Sequence, residues 1–347
     1  MSNHLDISSE REGWGRDTYG GCDGALYPVT TVDDSGKGSI RYALEASEPL
    51  YLHFMLGGKF AMRSSVFPKP NKTIDGRGHS IQIKGNGKDI IPFRLWNTHN
   101  IVMLNLTFDD EWPNYGADSE GADGVNIKDA ADFWFHHCFF QRWSDGCIDM
   151  NGNVERVTVS RCKIWNDWQA LACQGNKITI CKSWGRNLGA RFPKAIGGFV
   201  HSYNNLIHDW KVQSIQSAKG TGGQLLAEYN MYWPGSVAEV NDAVDGGRIR
   251  VSSAYKVNPV TMIGGNDTLD ASLTADSRAR AKMTKPADKA AWNVLLNEIR
   301  AKAGCTLPAV AFQATTEPPP AKPPLPPTLE ERVTSLEARV AALEAVG

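Results

Sequence analysis

The chain lacks an excess of charge, a long apolar run and an apolar N-terminus, and each absence excludes a class of function. Thirty-seven Lys and Arg stand against 38 Asp and Glu, a formal net charge of −1. No field is left to draw such a chain onto nucleic acid or an anionic membrane. No uninterrupted apolar run approaches the roughly 18–20 residues of a membrane span. Met1 to Gly15 is polar and charged, so no signal peptide is seen. Cysteine is scarce and odd in number, seven in 347 residues, which excludes a small disulfide scaffold. What the chain has in quantity is glycine, 33, and tryptophan, 11, on an ordinary globular background of 41% hydrophobic residues. Aromatics on a glycine-rich chain suit a β-rich protein with tight turns, and one that handles sugar.

The C-terminal end reads most easily. Residues 306–327 form a Pro-rich linker, with seven prolines between Glu317 and Pro327. Beyond it, Leu329, Val333, Leu336, Val340 and Leu343 recur at spacings of 4, 3, 4 and 3, an a/d seam over residues 328–347. Thr328 and Glu331 suit a capping box. The segment predicts an oligomerising helix, the alternative being a helix folded back on the body. Residues 266–305 read as a helical segment packing on the body, with an apolar stripe through Trp292, Leu295 and Ile299.

Residues 13–265, after a polar segment over 1–12, show short alternating runs between Gly, Asn and Asp clusters. The runs repeat. IVMLNLTF, FWFHHCFF, VTVSRCKIW, ITICKSW, FVHSYNNLI and LLAEYNMYW align on Asn105, Cys138, Cys162, Cys181, Asn205 and Asn230, with gaps of 33, 24, 19, 24 and 25. A period near 24 without intervening helices predicts an all-β fold, a right-handed parallel β-helix with peripheral helices. The aligned cysteines are expected to be free thiols filling one interior column.

The same period falls on chemistry-bearing residues. Asp123, Asp145, Gln169 and Arg191 are separated by 22, 24 and 22, so they are expected to line up along one face. Asp145 and Asp149, four apart on a strand, share a face. Three converging carboxylates suit a hard cation, Ca²⁺ before Zn²⁺, because no His/Cys set accompanies them. The competing reading is a face kept soluble by acids. Trp112, Trp143, Trp165 and Trp168 lie around the expected groove, and at most two are taken as sugar platforms. His201 is expected to pack within the solenoid. His136 and His137 are adjacent on a strand, so they are expected to face opposite ways and form no metal clamp.

With these residues in place, the sequence resembles the pectate lyases of polysaccharide lyase family 1 over nearly all of residues 13–304. EGWGRDTYGG, VTTVDDSGKGSIRYALE, NKTIDGRG, DGCIDM and LLNEIRAKAGC resemble its motifs in order, and RFPKAIGGFVHSYNN (191–205) resembles its Arg-x-Pro-x-x-Arg-x-Gly-x-x-His-x-x-Asn-Asn signature. The resemblance implies cleavage of an acidic polysaccharide by β-elimination, with Asp123, Asp145 and Asp149 as Ca²⁺ ligands and Arg191 as base. An arginine ordinarily keeps its proton beyond about pH 12, so activity is expected to rise well above pH 7. Three positions depart from the family. His136 stands where its Asp-His-Cys-like strand has Asp. Its second signature Arg falls on Ile196, and its substrate-gripping Lys falls on Gln169. Lys194 and Arg186 are the cations placed to replace them, with Gln169 and Trp168 as further substrate contacts. The alternatives are a weakly catalytic or purely glycan-binding solenoid, and a phage tail or tailspike component that recognises host polysaccharide. The expected location is extracellular or virion-associated.

Overall fold

A computed structural model describes residues 8–86, 89–111, 121–211, 215–235, 239–256 and 266–307. The chain divides into two units. One runs from Asn3 to Ala314, and the other comprises residues 1–2 and 315–347. The second unit, with the heptad seam and most of the Pro-rich linker, lies outside the described residues.

The body is a parallel β-helix of about nine turns, as the period predicts. A ten-stranded sheet forms one face, and fifteen further strands form a second sheet of two ladders joined through the long strand Lys163–Gln174, every strand pairing among the described residues being parallel. The interior is built rung by rung. Ile101, Phe133, Val157, Ile178, Val200, Leu225 and Ile249 stand in register in the first sheet. All are buried, each worth on the order of 1.5–3 kcal/mol. Phe108 and Phe140 continue the stacking in the second sheet, rings parallel at 4.7 Å.

The first sheet is covered on its outer face too. The N-terminal segment crosses it, Trp14 and Gly15 donating their backbone N–H groups to Thr179 Oγ1 (3.1 Å) and Thr158 Oγ1 (2.8 Å). A Cβ on Gly15 would stand 2.4 Å from Phe133 O, so only glycine approaches this closely. Ile40–Leu44, capped by Ser39, covers one end of the core. The predicted C-terminal helical segment is two helices, Ala271–Arg280 and Lys289–Lys302. Pro286 falls in the break, consistent with its missing N–H and its bias against helix in the residue before it. The second helix buries Trp292, Leu295 and Ile299 against Leu206 and Met231.

The corners explain where the repeat reading succeeds and where it slips. Asn105, His137, Arg161, Lys182, Asn204, Tyr229 and Ser253 all have φ between 51° and 55°. They are one left-handed residue per rung, the bend that turns the chain from the first sheet into the second. Just after them runs an interior ladder. The Cys162 N–H donates to Ser183 Oγ, the Ser183 N–H to Asn205 Oδ1 and the Asn205 N–H to Asn230 Oδ1. Cys138 joins Cys162 in that column. Cys181 does not: it lies in the preceding strand, in register with Ser160 and Tyr203, and Ser183 takes the expected place. Asn105 likewise is a corner residue, one position before the column. All seven cysteines are free thiols.

Candidate active site

The second sheet carries the acids. Strand Gly146–Asn151 lies between Val125–Lys128 and the long strand Lys163–Gln174. Pairing places Ile148 opposite Val125 and Gly146 opposite Gln169, which in turn faces Ala190. Asp123, Gly146, Gln169 and Ala190 therefore occupy successive positions across the rungs. This corrects the expected line of Asp123, Asp145, Gln169 and Arg191. Asp145 and Arg191 are each displaced by one residue, because the loops between strands differ in length, and a one-residue slip changes the face presented.

The acids still meet. Asp123 is buried and accepts from the Gly146 N–H (3.1 Å), while Asn126 Nδ2 donates both to it (3.3 Å) and to Asp149 (3.2 Å). Asn151 Nδ2 donates to Asp149 at 2.6 Å. Burial, with Asp149 and Asp145 adding repulsion, pushes the Asp123 carboxyl well above the usual range. Burial also raises Asp145, against the pull of Arg191, and raises Asp149 despite the Asn151 hydrogen bond and Arg191. Three carboxylates thus share one field, with the Arg191 charge facing two of them. Their spacing is open. Among the described residues, the side chains whose potential ligand atoms all lie within 4.8 Å of one another are Glu10, His136 and His137 instead.

The register sorts the remaining candidates. Asn126, Asp149, Ala172, Lys194 and Ser217 form one column, so Lys194 stands two rungs from Asp149 on the same face. Burial and Arg191 lower its ammonium. Arg186 pairs with Trp165 and His208 and lies 5.6 Å over the Trp165 ring, away from that column. Ile196 sits in the next outward column with Gln174 and Lys219. Trp168 is half-buried against Gly189. Trp143 is fully buried and donates to Phe108 O, so it offers no face to a sugar. Trp112 lies outside the described residues. His201 is buried against Glu228 at 3.1 Å, a packing role as expected.

Sequence reasoning passed over Asn126, which links two of the acids, and Asp167. Asp167 is buried, takes the Trp143 N–H at 3.0 Å and is held well above its usual range by burial. It also passed over Trp96, whose ring lies under Arg94 and Lys128 and whose Nε1 donates to Asn126 Oδ1. Asn126 is one residue of the strand that follows Asp123, and period-two alternation from Asp123 would not have reached it. A concavity of about 880 Å³ lies at the turns through Asn97, Asp129, Gly152, Gln174 and Ile196, and none of Asp123, Asp145 and Asp149 lines it.

A parallel β-helix with an acid cluster on one side defines a class, the parallel β-solenoids with a lateral acidic face. Comparison with known proteins gives the family. Residues 58–288 match the model for pectate lyase, and the chain belongs to the pectate lyase family. It is 29% identical over 236 residues to putative pectate lyase 21 of Arabidopsis thaliana, covering 61% of this chain and 59% of that protein. It is 28% identical over 248 residues to a pectate lyase of Nicotiana tabacum, covering 62% of each. The chain thus spans about six-tenths of the length of these relatives. The major cedar pollen allergen jun a 1 shares the fold with a TM-score of 0.73 at 18% identity, over 87% of this chain and 95% of that one. A pectate lyase from Bacillus sp. N165 in complex with trigalacturonate superposes with a TM-score of 0.52 at 19% identity, over 85% and 98%. Among the described residues no helix is long and apolar enough to cross a membrane.

Proposed function

We propose that the protein is a calcium-dependent lyase that cleaves pectate or a related uronate polymer by β-elimination outside the cell. The observation that carries this reading is the bridging of Asp123 and Asp149 by Asn126, with Asp145 and Arg191 in the same field, on a chain of the pectate lyase family. The donor set fits the ion. It is all oxygen, as a hard cation requires, and carboxyls raised by burial and mutual repulsion are groups that a dication would stabilise as anions. Asp145 and Asp149 would be the half-buried ligands and Asp123 the buried one. When bound, Ca²⁺ would neutralise the substrate carboxylate and the charge that grows beside it.

The residues do the rest. In its deprotonated form Arg191 would take the proton α to the uronate carboxylate as the β C–O bond breaks and a C=C bond forms; the leaving oxygen would take a proton from water, and Arg191 would return its own to solvent. Lys194, in the Asp149 column, grips a carboxylate further along the chain. Gln169 hydrogen-bonds a hydroxyl where a lysine would hold a charge, and Trp168 offers part of its ring to a sugar. Polygalacturonate and other uronate polymers, supplied with calcium and then with EGTA, test the proposal through the ultraviolet absorbance of the unsaturated product. Absorbance that grows with calcium and stops with EGTA is expected, and no product from any uronate polymer overturns it.

A further inference from the structure

Away from the acid face, the first corner column holds a second cluster. Glu10 ends a short 3₁₀ turn, His136 ends the strand Ala131–His136, and His137 is the corner residue after it. The expectation that the two imidazoles point apart fails here, because φ of 52° at His137 breaks the strand alternation. Both turn Nε2 towards the same oxygen, Glu10 Oε2, at 3.5 and 3.6 Å. Both rings are buried, and neither Nε2 has a hydrogen-bond partner.

The hydrogen-bond network fixes the His137 tautomer. Its Nδ1 lies 3.1 Å from Gly304 O, which only accepts, and 2.8 Å from Thr306 Oγ1, whose own proton goes to Lys302 O. Nδ1 therefore carries the hydrogen, which leaves Nε2 as the ring atom that faces the carboxylate. A cation held between Nε2 and the carboxylate would be bound by both. The separations fit a metal better than a proton. An N–H···O hydrogen bond spans about 2.7–3.2 Å. Ligand bonds of about 2.0–2.2 Å at a tetrahedral angle set two ligand atoms roughly 3.3–3.5 Å apart.

We propose that Glu10, His136 and His137 form a metal site for one transition-metal dication of the Zn²⁺ type, separate from the acid face. Two imidazoles and a carboxylate suit Zn²⁺ and not Ca²⁺. The His136 imidazole is fully buried. Its Nδ1 rests 2.8 Å from Ser160 Oγ, and the His137 Nδ1 partners belong to the C-terminal segment, so both rings are held from behind. Glu10 is partly exposed and opens the way in. Arg161 is the opposing group, its Nε 2.7 Å from the same Glu10 oxygen. It orients the carboxylate as an outer partner and its charge weakens the hold on the ion. The bound ion would join the N-terminal segment, a solenoid corner and, through Gly304 and Thr306, the C-terminal segment.

The test uses the untagged full chain, stripped with chelator and loaded with Zn²⁺ or Co²⁺. One equivalent retained after desalting is expected, with visible Co²⁺ bands of tetrahedral intensity. Asp149→Asn should keep that equivalent, Glu10→Gln and His137→Gln should lose at least tenfold in affinity, and Arg161→Gln should gain about tenfold. Zinc-edge X-ray absorption on the unmutated chain, needing no variant to fold, should show two imidazoles at about 2.0 Å. Failure of the unmutated chain to hold stoichiometric metal overturns the proposal. So does a spectrum without imidazole ligands, or equal binding by folded Glu10→Gln and His137→Gln.

Discussion

Two groups of charged side chains sit on opposite sheets, and they are built on opposite rules. On the first sheet, each corner cation meets an acid from the N-terminal segment: Arg161 meets Glu10 at 2.7 Å, and Lys182 meets Glu12 at 2.7 Å. Glu12 is buried and also accepts from Tyr203 Oη (2.6 Å) and the Lys282 N–H (3.1 Å). On the second sheet, Asp123, Asp145 and Asp149 crowd together and burial raises all three. The first arrangement is balanced and fastens the ends of the chain to the solenoid. The second is left short of positive charge, which is what the proposed calcium site requires.

The strongest way to break this contrast is at Glu12. Glu12→Ala would strand Lys182 and orphan Tyr203 Oη, which predicts a loss of about 3–5 kcal/mol. A denaturant midpoint compared with the unmutated chain measures it. Asp149→Asn should do the reverse on the other sheet. It removes one of the repelling carboxylates, so stability without calcium should hold or rise. Turnover of polygalacturonate should fall by about 10²–10³, as should that of Arg191→Ala. Thermal melting in EGTA alongside a product assay separates the two effects. A drop in both together would mean that the acids are structural.

The comparison also shows what the sequence discloses. The period near 24 gives the solenoid because every rung must bury its apolar residues in register, and Val157, Ile178 and Val200 obey that rule. The three aspartates could be picked out by the same arithmetic and by resemblance. Their exact columns could not, since the loops differ in length and one residue of slip moves Asp145 off the Gln169 column. The His136–His137 pair was misread for a related reason. Strand alternation holds until the corner, and nothing local in HHCFF announces that His137 takes φ of 52°. The signal lies in the rungs beyond, where Arg161, Lys182 and Asn204 each precede the residue that continues the interior ladder.

A third prediction tests the balanced side by pH. Glu228 is buried, which alone would raise its carboxyl, but hydrogen bonds from His201 and Arg278 carry it down to about 2. A carboxyl depressed from 4.5 contributes stability that is fully present above pH 4.5 and is lost as pH falls towards 2. The contribution is of order 3 kcal/mol. His201, lowered by burial, adds in the same direction, since the unfolded chain takes up its proton first. Denaturation midpoints between pH 5 and 2 should fall steeply, and Glu228→Gln should flatten that slope. The helix Ala271–Arg280, held by Arg278, should be the first element to lose protection from hydrogen exchange.

The smallest effect sharpens the comparison within one sheet. Lys194 and Arg186 are both cations near the signature segment, and the sequence does not rank them. Register does. Lys194 shares a column with Asp149, whereas Arg186 is stacked on Trp165 beside His208. A polymer lying across the rungs would meet Lys194 two rungs beyond Asp149. Lys194→Ala should therefore raise KM for polygalacturonate about tenfold, or about 1.4 kcal/mol, the low end for a charge-assisted hydrogen bond at a half-exposed site. Arg186→Ala should leave KM unchanged. Steady-state kinetics on both variants distinguishes the columns. An equal rise in the two would show that the polymer follows the strands and not the rungs, and would move the groove from the Asp149 column to the Trp165 edge.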